Sequence, residues 1–355
     1  MPINYDFVQR GVIRRGFTKE VTASKLHGLQ NVLFGGQPIP GDANTGIVMY
    51  DFRRKGATHL SEEAIRGADP NRVNFRLTQD TKFLKTAYFF DKDTISYSQV
   101  LNRVWGEPIE APWSYEQRMA VLASEKIEAL KLIQMNSYEK LCADMLLTGK
   151  CTVRDGGEQV MPLSSALLSV DGSKLLTDPV KTVFAAIEAM NRVNGSVISA
   201  ANLIMNSQDA LNLVQSTRFE KLVIKDGIDI ARVQYGPFLD SGFVHMGTIN
   251  CFGGLHIWAY QGIDGEGAKF IPQGKAILTT NVAPMTIGSK GVGSVLVSNG
   301  SNPSVPMVIA ERLNVYPEGK GDLVQTNVTY QTAPLPIITA IDGYCVLTGI
   351  PASEA

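Results

Sequence analysis

Residues 114–149 constrain the chain more than any other stretch. They read SYEQRMAVLASEKIEALKLIQMNSYEKLCADMLLTG, with no proline and no internal glycine. Ser114 suits an N-cap and Gln117 follows three residues later, the spacing of a capping box. Pro112 and Trp113 block extension upstream, and Gly149 suits the left-handed residue that closes a helix. Met119, Leu122, Ala123, Ile127, Leu130, Ile133, Tyr138, Leu141, Cys142 and Met145 recur at steps of three to five, close to one helical stripe. Glu116, Glu125, Lys126, Glu128, Lys131, Glu139 and Lys140 mostly fill the other face. Such a rod is about 50 Å long at about 1.5 Å per residue, against a mean helix of roughly 11–12 residues. The pattern is not a clean heptad, which argues against a coiled coil. The rod is expected to be a spine crossing a flat molecule.

The rest of the 355 residues allows two or three domains with ample core material. A formal net charge of -1 gives no global basic field of the kind that wraps nucleic acid. The first residues, MPINYDFVQRGVIRRGF, carry charges where a secretory signal needs an apolar run. No apolar run approaches the roughly 20 residues of a membrane span, so no membrane partner is expected. Manufacture and assembly in a cytosol follow as the expectation. Cys142, Cys151, Cys251 and Cys345 are scattered and show no CxxC pairing. In a reducing compartment they are expected to be buried thiols.

Taken in order, residues 1–46 alternate short apolar pieces with Gly, Pro and Asn, and read as an arm lying on something else. Arg10, Arg14, Arg15 and Lys19 give it a mild basic cluster, either a solvated segment or a contact for an acidic neighbour or phosphate. Residues 47–104 have strand-like limbs around a charged middle too poor in apolar residues for a core. The returning limb is KTAYFFDKDTISYSQVLNRV, with Tyr88, Phe89, Phe90, Ile95, Tyr97 and Val100 read as strand. Such a hairpin is expected to project and bury itself on a partner chain.

Beyond the long helix, Cys151–Arg154 reads as a strand, turned by Asp155-Gly156-Gly157, with Val160–Val170 able to pair back. A second helix, VKTVFAAIEAMNRVNG, starts at Asp178-Pro179, with proline at its first position. AANLIMN (Ala200–Asn206) reads as a buried strand, and Ser207 as the cap of a third helix over SQDALNLVQSTRFEKLV. Helix, strand, helix suggests an α/β or α+β domain. Residues 228–324 are mostly β in character. The tail, YQTAPLPIITAIDGYCVLTGI, reads as two strand fragments joined at Asp342-Gly343, with Pro334 and Pro336 confining the first to a sheet edge or a strand start.

A search for catalytic chemistry finds none of the strong patterns, and no residue is singled out as catalytic, cofactor-binding or metal-ligating. Gly149-Lys150 lacks the glycines and following helix of a phosphate loop, because Asp144 and Cys151 stand at the diagnostic positions. GSKGVGS (288–294) lacks dinucleotide spacing and reads as a surface loop. His27, His59, His245 and His256 lie far apart and form no HxH or HExxH arrangement. No GxSxG elbow is present.

The order of features then becomes specific: arm, projecting hairpin, spine helix ending in LLTGK with a strand after it, α/β domain, and a tail opening on QTAPLP. KTAYFFDKDTISYSQVLNRV, SYEQRMAVLASEKIEAL, ADMLLTGKCTV, NGSVISAANLIMNSQDALNLVQSTRFEKLV, FGGLHIWAYQGIDGEGAKFIPQGKAILTTN and TYQTAPLPIITAIDGYCVLTGI carry it. In this order they resemble the major capsid (head) proteins of tailed phages, within them the lambda-type major head proteins. The resemblance runs best from about Thr86 to the end and is poor over 47–85.

That resemblance implies an α+β chain with the Hong Kong 97-type phage capsid fold. It implies an N-terminal arm (1–46), an extended loop hairpin (47–105) and a peripheral domain (106–178) holding a spine helix at 114–148. An axial domain (179–324) and a C-terminal strand returning to the peripheral domain (325–355) complete it. The implied function is structural and non-enzymatic: hexamers and pentamers of the chain forming an icosahedral head around double-stranded DNA, contacted non-specifically on the inner face. The virion is the implied location, with assembly in the host cytoplasm and no cofactor. Partners expected from the resemblance are portal, decoration or cementing protein, and a scaffolding protein encoded separately, since Met1 opens no long acidic helical leader. Some relatives cross-link covalently, but no motif singles out Lys55, Lys82 or Lys85 for this. Two rivals are a nanocompartment shell of the same fold around protein cargo, and an α+β enzyme.

Overall fold

The structure, a computed structural model, describes residues 27–35, 39–41, 45–55, 76–104, 106–108, 110–153, 157–160, 167–194, 200–216, 223–224, 242–249, 254–264, 266–280, 292–298, 312–318, 325–338 and 343–352. A single π-type turn (Leu29–Leu33) comes first, then β1 (Ile39–Gly41), β2 (Thr45–Lys55), β3 (Arg76–Lys85), β4 (Phe89–Ser96) and the short helix α1 (Tyr97–Leu101). The long helix α2 (Tyr115–Thr148) leads to β5 (Lys150–Val153), β6 (Gly157–Val160), β7 (Ser169–Asp171), α3 (Pro179–Asn194), β8 (Ala200–Asn206) and α4 (Ser207–Gln215). The remainder is β9 (Val223–Ile224), β10 (Phe243–Ile249), β11 (Leu255–Tyr260), β12 (Lys275–Thr280), β13 (Gly293–Ser298), β14 (Arg312–Glu318), β15 (Gln325–Thr332), β16 (Pro334–Ile338) and β17 (Tyr344–Thr348). The mixture is α+β.

Helix α2 starts and stops where its sequence directs. The Gln117 amide N–H donates to the Ser114 hydroxyl and the Ser114 N–H donates to the Gln117 side chain, so the capping box is closed. Gly149 takes φ 67°, a left-handed conformation that costs glycine nothing sterically, and its N–H donates to Met145 O. A second lock holds the approach to the helix. Glu107 accepts from the Val104 and Trp113 N–H groups and pairs with Arg118 at 2.6 Å, while Arg118 also donates to the carbonyls of Val100 and Leu101. The Arg118 guanidinium holds the Glu107 carboxyl below its ordinary range.

The burial pattern of α2 departs from one simple stripe. Its first half packs Ala123, Leu130 and the partly buried Met119, Leu122 and Ile127 on β4 and β15. Its second half enters the main core, where Tyr138, Cys142, Ala143, Met145, Leu146 and Leu147 are all buried. These surround the helix, so Glu139, placed by periodicity on the outer face, is fully buried. Ile133, placed on the stripe, is 54% exposed.

The central layer is a seven-stranded mixed sheet in the order β7-β17-β12-β8-β11-β10-β9. Alternate residues leave it for opposite faces, as a strand's period of two requires. Leu203, Met205, Ile257, Ala259, Ala276, Leu278, Cys345 and Leu347 meet α3 and α4 on one side. Ile204, Trp258, Tyr260, Ile277, Tyr344 and Val346 meet α2, the Leu29–Leu33 turn and β16 on the other. Both faces are covered, which explains why AANLIMN reads as nearly continuous apolar sequence.

Several local expectations are corrected. The strand over 85–104 stops at Ser96, which caps α1 with Gln99 in a second capping box. Strand β4 joins β15 rather than β2, and the hairpin partner of β2 is β3, so the ribbon closes at Lys85. The strand that pairs back on β5 is 157–160, while Ser169–Asp171 runs parallel to β17. Helix α4 is capped by Asn206, whose side chain accepts from the Gln208 N–H, and ends at Gln215. The tail enters three sheets: β15 beside β4 and β14, β16 beside β13, and β17 beside β12 and β7. Strand β16, with its two prolines, is an edge strand, as proline demands.

Candidate assembly surfaces and the junction behind them

Strands β2 and β3 form a two-stranded antiparallel ribbon with a register shift between Phe52 and Lys55. Neither strand pairs with any other described strand. Its nine paired positions reach about 30 Å at roughly 3.3 Å each. An isolated two-stranded ribbon is marginal in water. Its root is fixed: Leu84 is buried, and the Lys85 N–H donates to Gln159 of β6. Residues 56–75, between the two strands, lie outside the described residues.

Immediately after the root the chain presents aromatic rings to the surface. Tyr88 is 51% exposed and Phe90 50% exposed, and the two rings stack at 6.2 Å between centroids. They border a hollow of about 590 Å³ completed by Phe89, Leu141, Thr152 and Val153. A second hollow, of about 680 Å³, adjoins it along α2 and is edged by Lys140, Asp144 and the Lys150–Glu158 ion pair. A second aromatic pair, Tyr97 with Tyr115 at 6.1 Å, is exposed at the far end of α2 beside Leu101. These are large apolar groups in clusters, which single exposed residues on an ordinary surface are not.

Behind these surfaces lies a polar junction in the main core. Glu139 of α2 accepts hydrogen bonds from the Leu29 N–H at 2.7 Å, the Gln30 N–H at 2.9 Å and the Tyr260 hydroxyl of β11. His27 and Asn136 meet at 2.8 Å one turn away. One carboxylate therefore ties the Leu29–Leu33 turn, the long helix and the central sheet together. No cation is among the described groups that shift it. Burial raises its pKa to about 7 despite the three donors. Phe34 then packs over Gly293 of β13, where a Cβ would stand 2.5 Å from its ring and 2.4 Å from the Ile337 carbonyl. The segment 27–34, expected to lie on something else, is thus seated in its own chain.

A second polar clamp joins α2 to the β4–β15 sheet. The buried Gln134 amide donates to Asp91 at 2.7 Å and to Tyr330 O at 2.8 Å, and accepts from the Thr332 hydroxyl at 2.6 Å. Neither Glu139 nor Gln134 stands out in the sequence. The one available signal is that Glu139 sits in a run whose apolar residues occupy every side of the helix.

Of the four histidines, His245 and His256 are brought together, with 3.3 Å between His256 Nδ1 and His245 Nε2. His27 is at the junction, and His59 lies outside the described residues. Cys142, Cys151 and Cys345 are buried free thiols, with Cys151 and Cys345 both pushed up to about 12 by burial; Cys251 lies outside the described residues. So do Arg10, Arg14, Arg15 and Lys19. No group of three or more His, Cys, Asp or Glu able to hold a metal occurs among the described residues, and no described helix is long and apolar enough to cross a membrane.

No family model matches the chain. No curated protein matches it in sequence. Solved structures do match. One, provisionally described as the capsid protein of a prophage in Escherichia coli CFT073, is 13% identical with a TM-score of 0.59, over 91% of this chain and 93% of that one. A phage-related protein from Bordetella bronchiseptica RB50 is 12% identical with a TM-score of 0.48, over 92% and 94%. A structure from Mycobacterium phage Patience is 11% identical with a TM-score of 0.47, over 92% and 84%. The chain has the α+β Hong Kong 97-type phage capsid fold.

Proposed function

We propose that this chain is the major capsid protein of a tailed phage, a structural subunit whose copies build hexamers and pentamers and close into an icosahedral head around double-stranded DNA. The observation that carries this reading is the β2–β3 ribbon, which leaves the core at Lys85 and pairs with no other described strand of its own chain. A neighbouring copy supplies what the ribbon lacks. Its ribbon lies over the exposed Tyr88–Phe90 cluster and the hollow along α2, and the contact repeats around each ring. Head-to-tail contacts of this kind generate closed rings when the rotation closes. Many modest contacts then add to a stable shell.

In this reading residues 1–46 form the arm, 47–105 the extended loop, 106–178 the peripheral domain and 179–324 the axial domain, with 325–355 returning to the peripheral domain. The role needs no catalytic residue and no cofactor. Portal, a separately encoded scaffolding protein and an external cementing protein complete the assembly, and mature heads lacking any second abundant head protein would refute the last of these.

The test is to replace residues 49–81 with a short Gly/Ser turn, which keeps the root with its buried Leu84. The expected result is a folded subunit, with unchanged helix content by circular dichroism, that no longer assembles. Normal shells from the shortened chain would overturn the role given to the ribbon. Nuclease treatment of unaltered particles separates the two possible contents: protected double-stranded DNA supports a head, and co-purifying protein cargo without DNA supports a nanocompartment. Boiled particles are expected to run as monomer on a denaturing gel; a ladder of covalent oligomers would show cross-linking through a lysine such as Lys55, Lys82 or Lys85.

A further inference from the structure

We propose that His245, His256 and Thr248 form a binding site for a divalent transition-metal ion on the β10–β11 hairpin. Nothing in the shell role requires such a site, and it stands independently of that role. The argument begins with strand register. In β10 and β11, His245 lies opposite Trp258 and Thr248 lies opposite His256. Side chains alternate along a strand, so residues 245 and 248 would ordinarily leave on opposite faces. The register shifts between His245 and Gly247, a bulge that inserts one residue into β10. The bulge puts Thr248 back on the face of His245, beside His256 and Trp258. Bulges re-aim side chains in this way and are built features rather than defects.

The resulting cluster has the dimensions of a chelate. The facing nitrogens, His245 Nε2 and His256 Nδ1, are 3.3 Å apart. Two imidazole nitrogens each about 2.0–2.1 Å from a tetrahedral ion are about 3.3–3.4 Å apart. Thr248 Oγ1 lies 2.9 Å from His256 Nδ1 and 3.4 Å from His245 Nε2, so the three polar atoms form a close triangle. Without an ion, one ring N–H spans the two nitrogens as a hydrogen bond. On binding, that proton sits on the outer nitrogen of its ring, and both inner lone pairs face the metal. Two imidazoles with a hydroxyl suit a borderline ion such as Zn²⁺, Ni²⁺ or Cu²⁺ rather than Ca²⁺ or Mg²⁺, which take oxygen ligands. Water completes the coordination. The ion would pin β10 to β11 near the edge of the central sheet.

Trp258 makes the test direct, since its ring is 4.7 Å from that of His245. Untagged full-length protein is titrated with Cu²⁺ while tryptophan fluorescence is followed, and with Zn²⁺ by calorimetry. The expected result is saturable binding of one ion per chain, quenching by Cu²⁺, and reversal of that quench by Zn²⁺. His245→Gln and His256→Gln are each expected to weaken binding at least tenfold, and Ca²⁺ is expected not to bind. Absence of one-to-one binding to the unaltered protein would overturn the site whether or not the variants fold. Binding that survives both substitutions unchanged would place the ion elsewhere and overturn it equally.

Discussion

At the scale of single residues, Glu139 sets an unusual balance. Three donors favour its ionised form, and burial favours the neutral one and prevails, with the pKa raised from 4.5 to about 7. For an acid raised in the fold, the folded state binds the extra proton between those two values. The cost of the charge therefore grows as the pH rises from 4.5 to about 7 and stays constant above, amounting to roughly 3 kcal/mol. Denaturant midpoints of the unassembled subunit should fall over that interval, and Glu139→Gln should flatten the profile. The same variant sets an amide NH₂ against a backbone N–H. Hydrogen exchange at Leu29 and Gln30 should then accelerate at pH 8, and unchanged protection there would contradict the junction. Gly293→Ala tests its other side: the added methyl group meets the Phe34 ring and the Ile337 carbonyl. It should cost about 1–3 kcal/mol, measurable as a lowered Tm. Sequence pattern could not reveal these roles. Glu139 looks like one more charge on a helix face, and the pairing of His245 with His256 depends on a register shift that leaves no trace in residue types.

At the scale of elements, the long helix was the most legible part. Ser114, Gln117 and Gly149 act locally, so their chemistry alone fixes both ends of α2. Ser114→Ala should lower stability by about 1 kcal/mol, read from chemical denaturation. Strand partners were much less legible, because pairing is a matter of distant contacts. Phe89–Ser96 has strand composition in either case, and only the tertiary fold decides that it joins β15 instead of closing the ribbon. The exposed aromatics belong to this scale too. Tyr88→Ser with Phe90→Ser removes apolar surface that the single chain does not bury. The double variant should leave the Tm of the subunit within about 1 °C, given the small effect of surface changes, while reducing shell yield at least tenfold in sedimentation. A large loss of Tm with normal assembly would assign these rings to the subunit's own stability instead.

For the whole molecule, the order of segments carried more information than any motif. Arm, ribbon, spine, α/β core and split tail are patterns weak one by one, and their resemblance as a series pointed to the α+β Hong Kong 97-type fold that the chain has. The chain invests a buried carboxylate and a buried amide in fastening α2 to the sheets, yet its β2–β3 ribbon pairs with no other described strand and two aromatic pairs stay exposed. A subunit completed by its neighbours has this distribution. The most direct measurement is the mass of the purified protein in solution by light scattering, with negative-stain microscopy of the same sample. Megadalton rings, tubes or closed shells are the expected result. A monodisperse monomer that stays monomeric with crowding agents or a scaffolding protein would contradict the reading of this chain as a shell subunit.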